Sequence, residues 1–246
     1  MWYRLSIAFI IGLIFGSFLN VLIYRLPRRI SIINPARSFC PNCKAEIKWY
    51  DNIPVLSYIL LSGKCRVCGW KIPIRYPIVE LLTGLCFLLS FSFSNSTIEA
   101  LTFSARAFSV ILLTFVDLEF MMIPDTSVVL ILVSGIIYSL INGSLLVNLI
   151  TSITTFSILF LVRKLSKNGI GFGDVKLFGV SGFFLGPIGS IVAMMIASLS
   201  GIIFVIVPLF MKKIGLKTKI PFGPFLGWGI FVTVLLKPLI IRLFGF

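Results

Sequence analysis

Apolar segments of about 18 residues or more recur along the whole chain, and each is long enough to cross a lipid bilayer as a helix. With 58% of its 246 residues hydrophobic and only 12% charged, the chain lacks the polar surface a soluble domain of this length needs. Eight spans are predicted, near 5–24, 77–94, 98–117, 126–142, 145–162, 174–187, 188–211 and 222–243. The first could be mistaken for a signal peptide. It has no small-residue cleavage site, its apolar core is long and "RLPRR" follows directly, so it reads as an uncleaved span. The expected architecture is an all-α polytopic membrane protein with a first transmembrane helix (1–25), a polar insert (26–76) and a membrane core (77–246).

The placement of charge orients these spans. Residues 25–77 carry ten Lys/Arg, "RKLSKNGIGFGDVK" carries four and "KKIGLKTK" four, whereas "SFSNSTIE", "INGS" and "GPIG" carry none. The positive-inside rule therefore puts the basic loops in the cytoplasm and both termini outside. Lys237 and Arg242 fall on the wrong side as a mild exception. The net charge of +14 is then topology plus attraction to anionic lipid, and a nucleic-acid partner is not expected.

The insert holds four of the five cysteines, in "CPNC" (Cys40, Cys43) and "CRVC" (Cys65, Cys68). Two C-x-x-C knuckles at this separation match a four-thiolate structural zinc site, which leaves no open coordination position for catalysis. In a reducing cytoplasm a disulfide pair is the weaker reading. A segment of roughly fifty residues cannot build a good hydrophobic core, so a metal staple is physically reasonable. Cys86, inside the second span, reads as a packing residue. Trp49 and Tyr50 between the knuckles either cover the zinc site or rest at the membrane interface, or else form a substrate or cofactor surface.

There is no histidine. Ser-His-Asp and Cys-His hydrolases, and metalloproteases of the H-E-x-x-H type, are thereby excluded. Of the eight acidic residues, Glu46, Asp51 and Glu99 need no special role. Glu80, one turn into the second span, is either functional or paired with Arg75 or a neighbouring helix. Asp125, after Pro124, is placed as an N-cap. Asp117 is different: it closes the third span, where the helix dipole disfavours a carboxylate by about 0.3–1 kcal/mol. It is either a solvated loop aspartate beside Glu119 or a functional group. Asp174 follows "GFG", whose glycines permit close approaches that bulkier residues would block.

Asp117 and Asp174 thus come from different spans on one side of the membrane. Two carboxylates so placed can share a proton, the ionised one activating water while the protonated one polarises a scissile carbonyl. The rival reading is an ion- or proton-coupled transporter using Asp117, Glu80 and the intramembrane Arg106, although such proteins gather ionisable groups toward the midplane.

Taken together, "GSFLNVLIYRLP", the stretch from "CPNCKAEIKWYDNIP" to "RYPIVELLTG", "VDLEFMMIPD" and "GFGDVK" resemble the type IV prepilin leader peptidases, membrane aspartic peptidases related to archaeal preflagellin peptidases. The resemblance covers nearly the whole chain. It implies Asp117 and Asp174 as the catalytic pair. It also implies cleavage of prepilins or pseudopilins after a glycine at the cytoplasmic face of the bacterial inner membrane. The four-cysteine insert is typical of members that also N-methylate the new N-terminus with S-adenosylmethionine. No glycine-rich loop marks a site for that donor, so the methylation rests on the resemblance alone.

Overall fold

The computed structural model describes residues 2–35, 37–167, 169–211, 215 and 220–244; the basic segment 212–219 lies outside the described residues except for Gly215, as do the side chains of Lys237 and Arg242. Helices dominate: α1 (Trp2–Arg25), a short α2 (Leu56–Leu60) inside the insert, α3 (Arg75–Phe93), α4 (Thr97–Phe120), α5 (Asp125–Ile141), α6 (Leu145–Leu165), α7 (Phe172–Phe210) and α8 (Gly223–Phe244). Among the described residues no strand forms, only the isolated bridges Phe39–Glu46 and Lys64–Lys71 within the insert. Five helices, α1, α3, α4, α6 and α7, are long and apolar enough to cross a membrane. The protein is an all-helical membrane protein.

The sixth and seventh predicted spans appear as two limbs of α7. Gly186 breaks the run with φ 68° and ψ −178°, immediately before Pro187. The glycine takes a left-handed φ that a side chain would resist, and the proline cannot donate its missing N–H to the preceding turn. α5 is 17 residues long, slightly short of a full crossing.

The chain divides into two compact units, 1–112 and 113–246. In the first, α1 packs along α3. Gly12 and Gly16, four residues apart, remove the side chains that would separate the helices. A Cβ on Gly16 would stand 2.6 Å from the Glu80 Cα, and one on Gly12 would stand 2.8 Å from the Gly84 Cα. Such small-residue spacing lets helix backbones meet where lipid supplies no hydrophobic drive for association. Gly16→Leu is therefore expected to pry α1 from α3 and to destabilise the first unit by about 1–3 kcal/mol, the usual cost of overpacking. Thermal unfolding in detergent would check this, and an unchanged midpoint would show the contact to be loose. α4 begins with a capping arrangement in "SNSTIE": Ser96 Oγ accepts the Glu99 N–H at 3.2 Å, while Glu99 reaches back to the Asn95 N–H at 3.0 Å. Arg106 is buried on α4 and donates through Nε to the Thr102 carbonyl, 3.1 Å away.

In the second unit α7 packs against α5, α6 and α8. Leu113, Ile131, Val175, Leu177, Leu226 and Ile230 are almost fully buried in its core. Asn148 fixes the turn joining α5 and α6: its Nδ2 donates to Ser139 Oγ, Ser144 Oγ and the Phe183 carbonyl of α7, each at 2.9 Å. A buried amide with several partners is well satisfied, and it ties three helices at one level.

Candidate active site

Asp117 sits in the last turn of α4 and is 5% exposed. Its own helix end disfavours a charge there, but a second helix end compensates. The Gly223 N–H, the first of α8, donates to Asp117 Oδ2 at 2.9 Å. A helix N-terminus is a natural seat for an anion, because its first N–H groups lack partners within the helix. Gly223 must be a glycine for this approach, since a Cβ there would lie 2.7 Å from Oδ2. Sequence reasoning missed this residue; the available signal was "PFGPF", a glycine between prolines just before an apolar run.

Asp174, 9% exposed, lies in the first turn of α7 and takes the Gly171 N–H on its carboxylate. A Cβ on Gly171 would stand 2.8 Å from Asp174 Oδ2, and one on Gly173 would stand 3.0 Å from the Ile123 Cβ. The glycines of "GFGD" thus act through close approach: one frees the carboxylate, the other lets α7 begin against the "MIPD" turn. The two carboxylates are near enough for the charge of Asp117 to act on Asp174. Asp117 and Asp174 are thus two buried acids, each accepting a glycine N–H, with the charge of Asp117 reaching Asp174.

Asp125 departs from the expected N-cap. Pro124 occupies the cap position and no side chain caps α5. Asp125 instead stands exposed at the first helical position, and its Oδ1 accepts Lys176 Nζ of α7 at 3.0 Å. The acid is drawn to a nearby cation rather than to its own helix end.

In the insert the sulfur atoms of Cys40, Cys43, Cys65 and Cys68 all lie within 4.8 Å of one another, with Cys40 and Cys68 3.9 Å apart. Four thiolates around a zinc at about 2.3 Å stand roughly 3.8 Å apart, so this cluster can hold a metal ion such as zinc. The knuckles are built alike. Cys40 N–H donates to the Ala45 carbonyl and Cys65 N–H to the Trp70 carbonyl, each at 2.9 Å. The residue after the second cysteine is left-handed in both, Lys44 at φ 61° and Gly69 at φ 68°. The Asn42 side-chain amide donates to the Cys68 sulfur at 3.6 Å, a contact that favours the thiolate a metal requires. Trp49 is 80% exposed and so does not cover the cysteines. Asp51 is clasped by Arg66 of the second knuckle through Nε at 2.8 Å and Nη2 at 2.6 Å, which holds its carboxyl below the usual range.

Comparisons with known proteins agree with this arrangement. Residues 10–94 match the family model for the bacterial peptidase A24 N-terminal domain, and residues 104–206 match the model for the type IV leader peptidase family. The chain is 33% identical to a prepilin leader peptidase/N-methyltransferase of Neisseria gonorrhoeae, over 94% of this chain and 91% of that protein. It is 35% identical to a type 4 prepilin-like proteins leader peptide-processing enzyme of Escherichia coli O78:H11, over 93% and 92%. It is 32% identical to a prepilin leader peptidase/N-methyltransferase of Bacillus subtilis, over 92% and 91%. No solved structure matches the chain significantly. Nothing among these relatives supports a transporter. With similarity running along almost its whole length to proteins of one kind, the chain belongs to the type IV leader peptidase family.

Proposed function

We propose that this protein is a membrane aspartic endopeptidase that removes the leader of type IV prepilins or pseudopilins after a glycine, and that it N-methylates the newly exposed terminus with S-adenosylmethionine. The carrying observation is the pair Asp117 and Asp174, two buried carboxylates from α4 and α7 close enough to feel each other's charge. One works ionised and takes a proton from a water; the other works protonated and hydrogen-bonds the scissile carbonyl as negative charge develops on its oxygen. The Gly223 and Gly171 N–H groups hold the two carboxylates in place, so little reorganisation is needed when the substrate arrives.

The site lies on the cytoplasmic side of the bacterial inner membrane, where the basic insert and loops belong by the positive-inside rule. A prepilin is itself a membrane helix with a cytoplasmic leader, and its apolar helix lies against the spans. Cys40, Cys43, Cys65 and Cys68 hold a structural zinc, which staples the insert and takes no part in peptide cleavage.

The test is a cleavage assay in liposomes on a prepilin-like peptide with a Gly–Phe junction. Mass spectrometry should find the cut after glycine and, with the donor added, one methyl on the new N-terminus. Asp125→Asn should retain activity, because Asp125 is an exposed partner of Lys176. An uncut peptide would remove the proposal. Gly223→Ala tests the positioning of Asp117: the added methyl must displace the carboxylate, and a misplacement on the order of 1 Å should slow cleavage about a hundredfold. Wild-type rates in that variant would show that the Gly223 contact does not matter.

A further inference from the structure

The insert carries many apolar side chains, yet hardly any of them is buried. Within 49–60, "WYDNIPVLSYIL", Trp49, Ile53, Leu56, Ile59 and Leu60 are all exposed, Leu60 at 72%. Large apolar groups gathered in one short exposed segment mark a surface that meets something apolar.

Contacts with α3 and α1 fix how deep this segment sits. The Val55 N–H donates to Glu80 Oε2 at 2.7 Å, and Glu80 lies about 8 Å along α3 from its Arg75 end. On α1, Asn52 Oδ1 stands 3.5 Å from Ser17 Oγ, while Trp49, Ile53 and Pro54 share a groove with Ile10, Ile14 and Phe18. Ser17 lies about 12 Å from the Arg25 end of its helix. The two levels agree, because Gly16 packs directly on Glu80. Tyr24 and Arg25 close α1, and Arg75 and Tyr76 open α3; these are residue types that sit at the headgroups. The segment therefore doubles back below headgroup level, beside the two spans.

Its chemistry suits that depth. Hydrocarbon offers no hydrogen-bond partners, so backbone placed in it must satisfy its own polar groups. The N–H groups of Leu56 and Ser57 go to the Pro54 and Ile53 carbonyls, and those of Ile59 and Leu61 to the Val55 and Ser57 carbonyls. Glu80 takes the Val55 N–H, and Pro54 has none to satisfy. The one charged residue of 49–60 is Asp51, and Arg66 clasps it. Lys48 and Lys64, both exposed, bracket the stretch, as cations do at the phosphate level.

We propose that residues 49–60 form a re-entrant wedge seated in the leaflet nearest the Arg25 end of α1. Its partner is phospholipid: Trp49, Ile53, Leu56, Ile59 and Leu60 meet acyl chains, and Lys48 and Lys64 meet phosphates. Ile10, Ile14 and Phe18 are themselves exposed on α1, so the wedge extends a surface that already faces lipid. Such segments hold to a membrane through buried apolar area together with basic groups near the phosphates. The insert is then held by metal at its knuckles and by lipid at its inner loop. This needs only that α1 and α3 span the membrane, and it is independent of cleavage and methylation.

The test uses the full-length protein, supplied with zinc, in nanodiscs of phosphatidylcholine carrying a diazirine in its acyl chain. After irradiation trypsin releases 49–64 as one peptide, bounded by Lys48 and Lys64. Fragmentation should place lipid adducts within 49–60, at a yield comparable with peptide 5–25 of α1, and none on 67–71 of the second knuckle. The double variant Ile59→Glu, Leu60→Glu should lose the adducts on 49–64 and keep those on 5–25, because carboxylates are expelled from hydrocarbon. A wild-type 49–64 free of lipid overturns the wedge, and so does labelling that the two glutamates leave unchanged. An amine-reactive cross-linker at Lys48 and Lys64 then reads the rival occupants. A lipid-free 49–64 linked to a second copy, or to an added prepilin-like peptide, gives the face to that partner instead. The wild-type map needs no variant to fold, so it decides even where the glutamates disturb the insert.

Discussion

Asp117→Asn and Asp174→Asn should each slow cleavage of a Gly–Phe junction by about a thousandfold, within the range that general acid–base groups contribute. The double variant should be little worse than either single one, because residues that share a proton act as a unit and their losses do not add. Asparagine keeps the shape and an acceptor oxygen for the Gly223 or Gly171 N–H, so the helices should stay in place. What it removes is the buried charge and its repulsion from the neighbour. Thermal stability should accordingly hold or rise while activity disappears, the usual exchange at a site built for chemistry. Single-turnover cleavage and thermal unfolding on the same preparations would separate the cases. If stability fell in step with activity, the acids would be structural, and the dyad would have to be abandoned.

Much of this site can be read without coordinates, for physical reasons that differ by residue. Asp117 and Asp174 stand out because a carboxylate is expensive within or beside an apolar run, so the few that occur there call for an explanation. The four cysteines stand out because a metal fixes their local spacing, and the left-handed Gly69 closes the second knuckle. Gly223 stayed hidden because its partner lies 106 residues away and a glycine N–H leaves no mark of its own in a sequence. Asp125 misled because a cap and a cross-helix ion pair use the same residue type, and only the fold brings Lys176 alongside. Asn20 went unremarked inside "GSFLNVLIY"; an amide in a span is uncommon enough to mark, but that its buried oxygen lacks a partner becomes visible only in the fold. The break in α7 was legible as two spans because glycine followed by proline at 186–187 is a local signal that packing does not override.

Removing zinc should unfold the insert while leaving α1 packed on α3. Among the described residues of 26–76 only Cys40 and Gly63 are buried, so almost no apolar side chain holds this segment together. What remains is modest. The Arg37–Glu46 pair is exposed, with side chains 76% and 56% accessible, and such pairs contribute about 0–1 kcal/mol. The Arg66–Asp51 clasp is better shielded on the Asp51 side, at 8%, but it joins only two points of the loop. A four-thiolate zinc supplies an apparent binding free energy of about 10–16 kcal/mol, more than everything else in the insert together. Chelation, or Cys40→Ser, should therefore open the segment between α1 and α3 to protease and to rapid hydrogen exchange. The α1–α3 pair should keep its protection, since the contacts at Gly12 and Gly16 lie within the helices and owe nothing to the metal. Val55 gives a finer reading of the same experiment. Its left-handed backbone is held against Glu80 by the folded insert, so its amide should lose protection as zinc leaves. Protease and exchange patterns unchanged after complete demetallation would show that the cysteines do not staple the insert, and the proposed zinc would have to be given up.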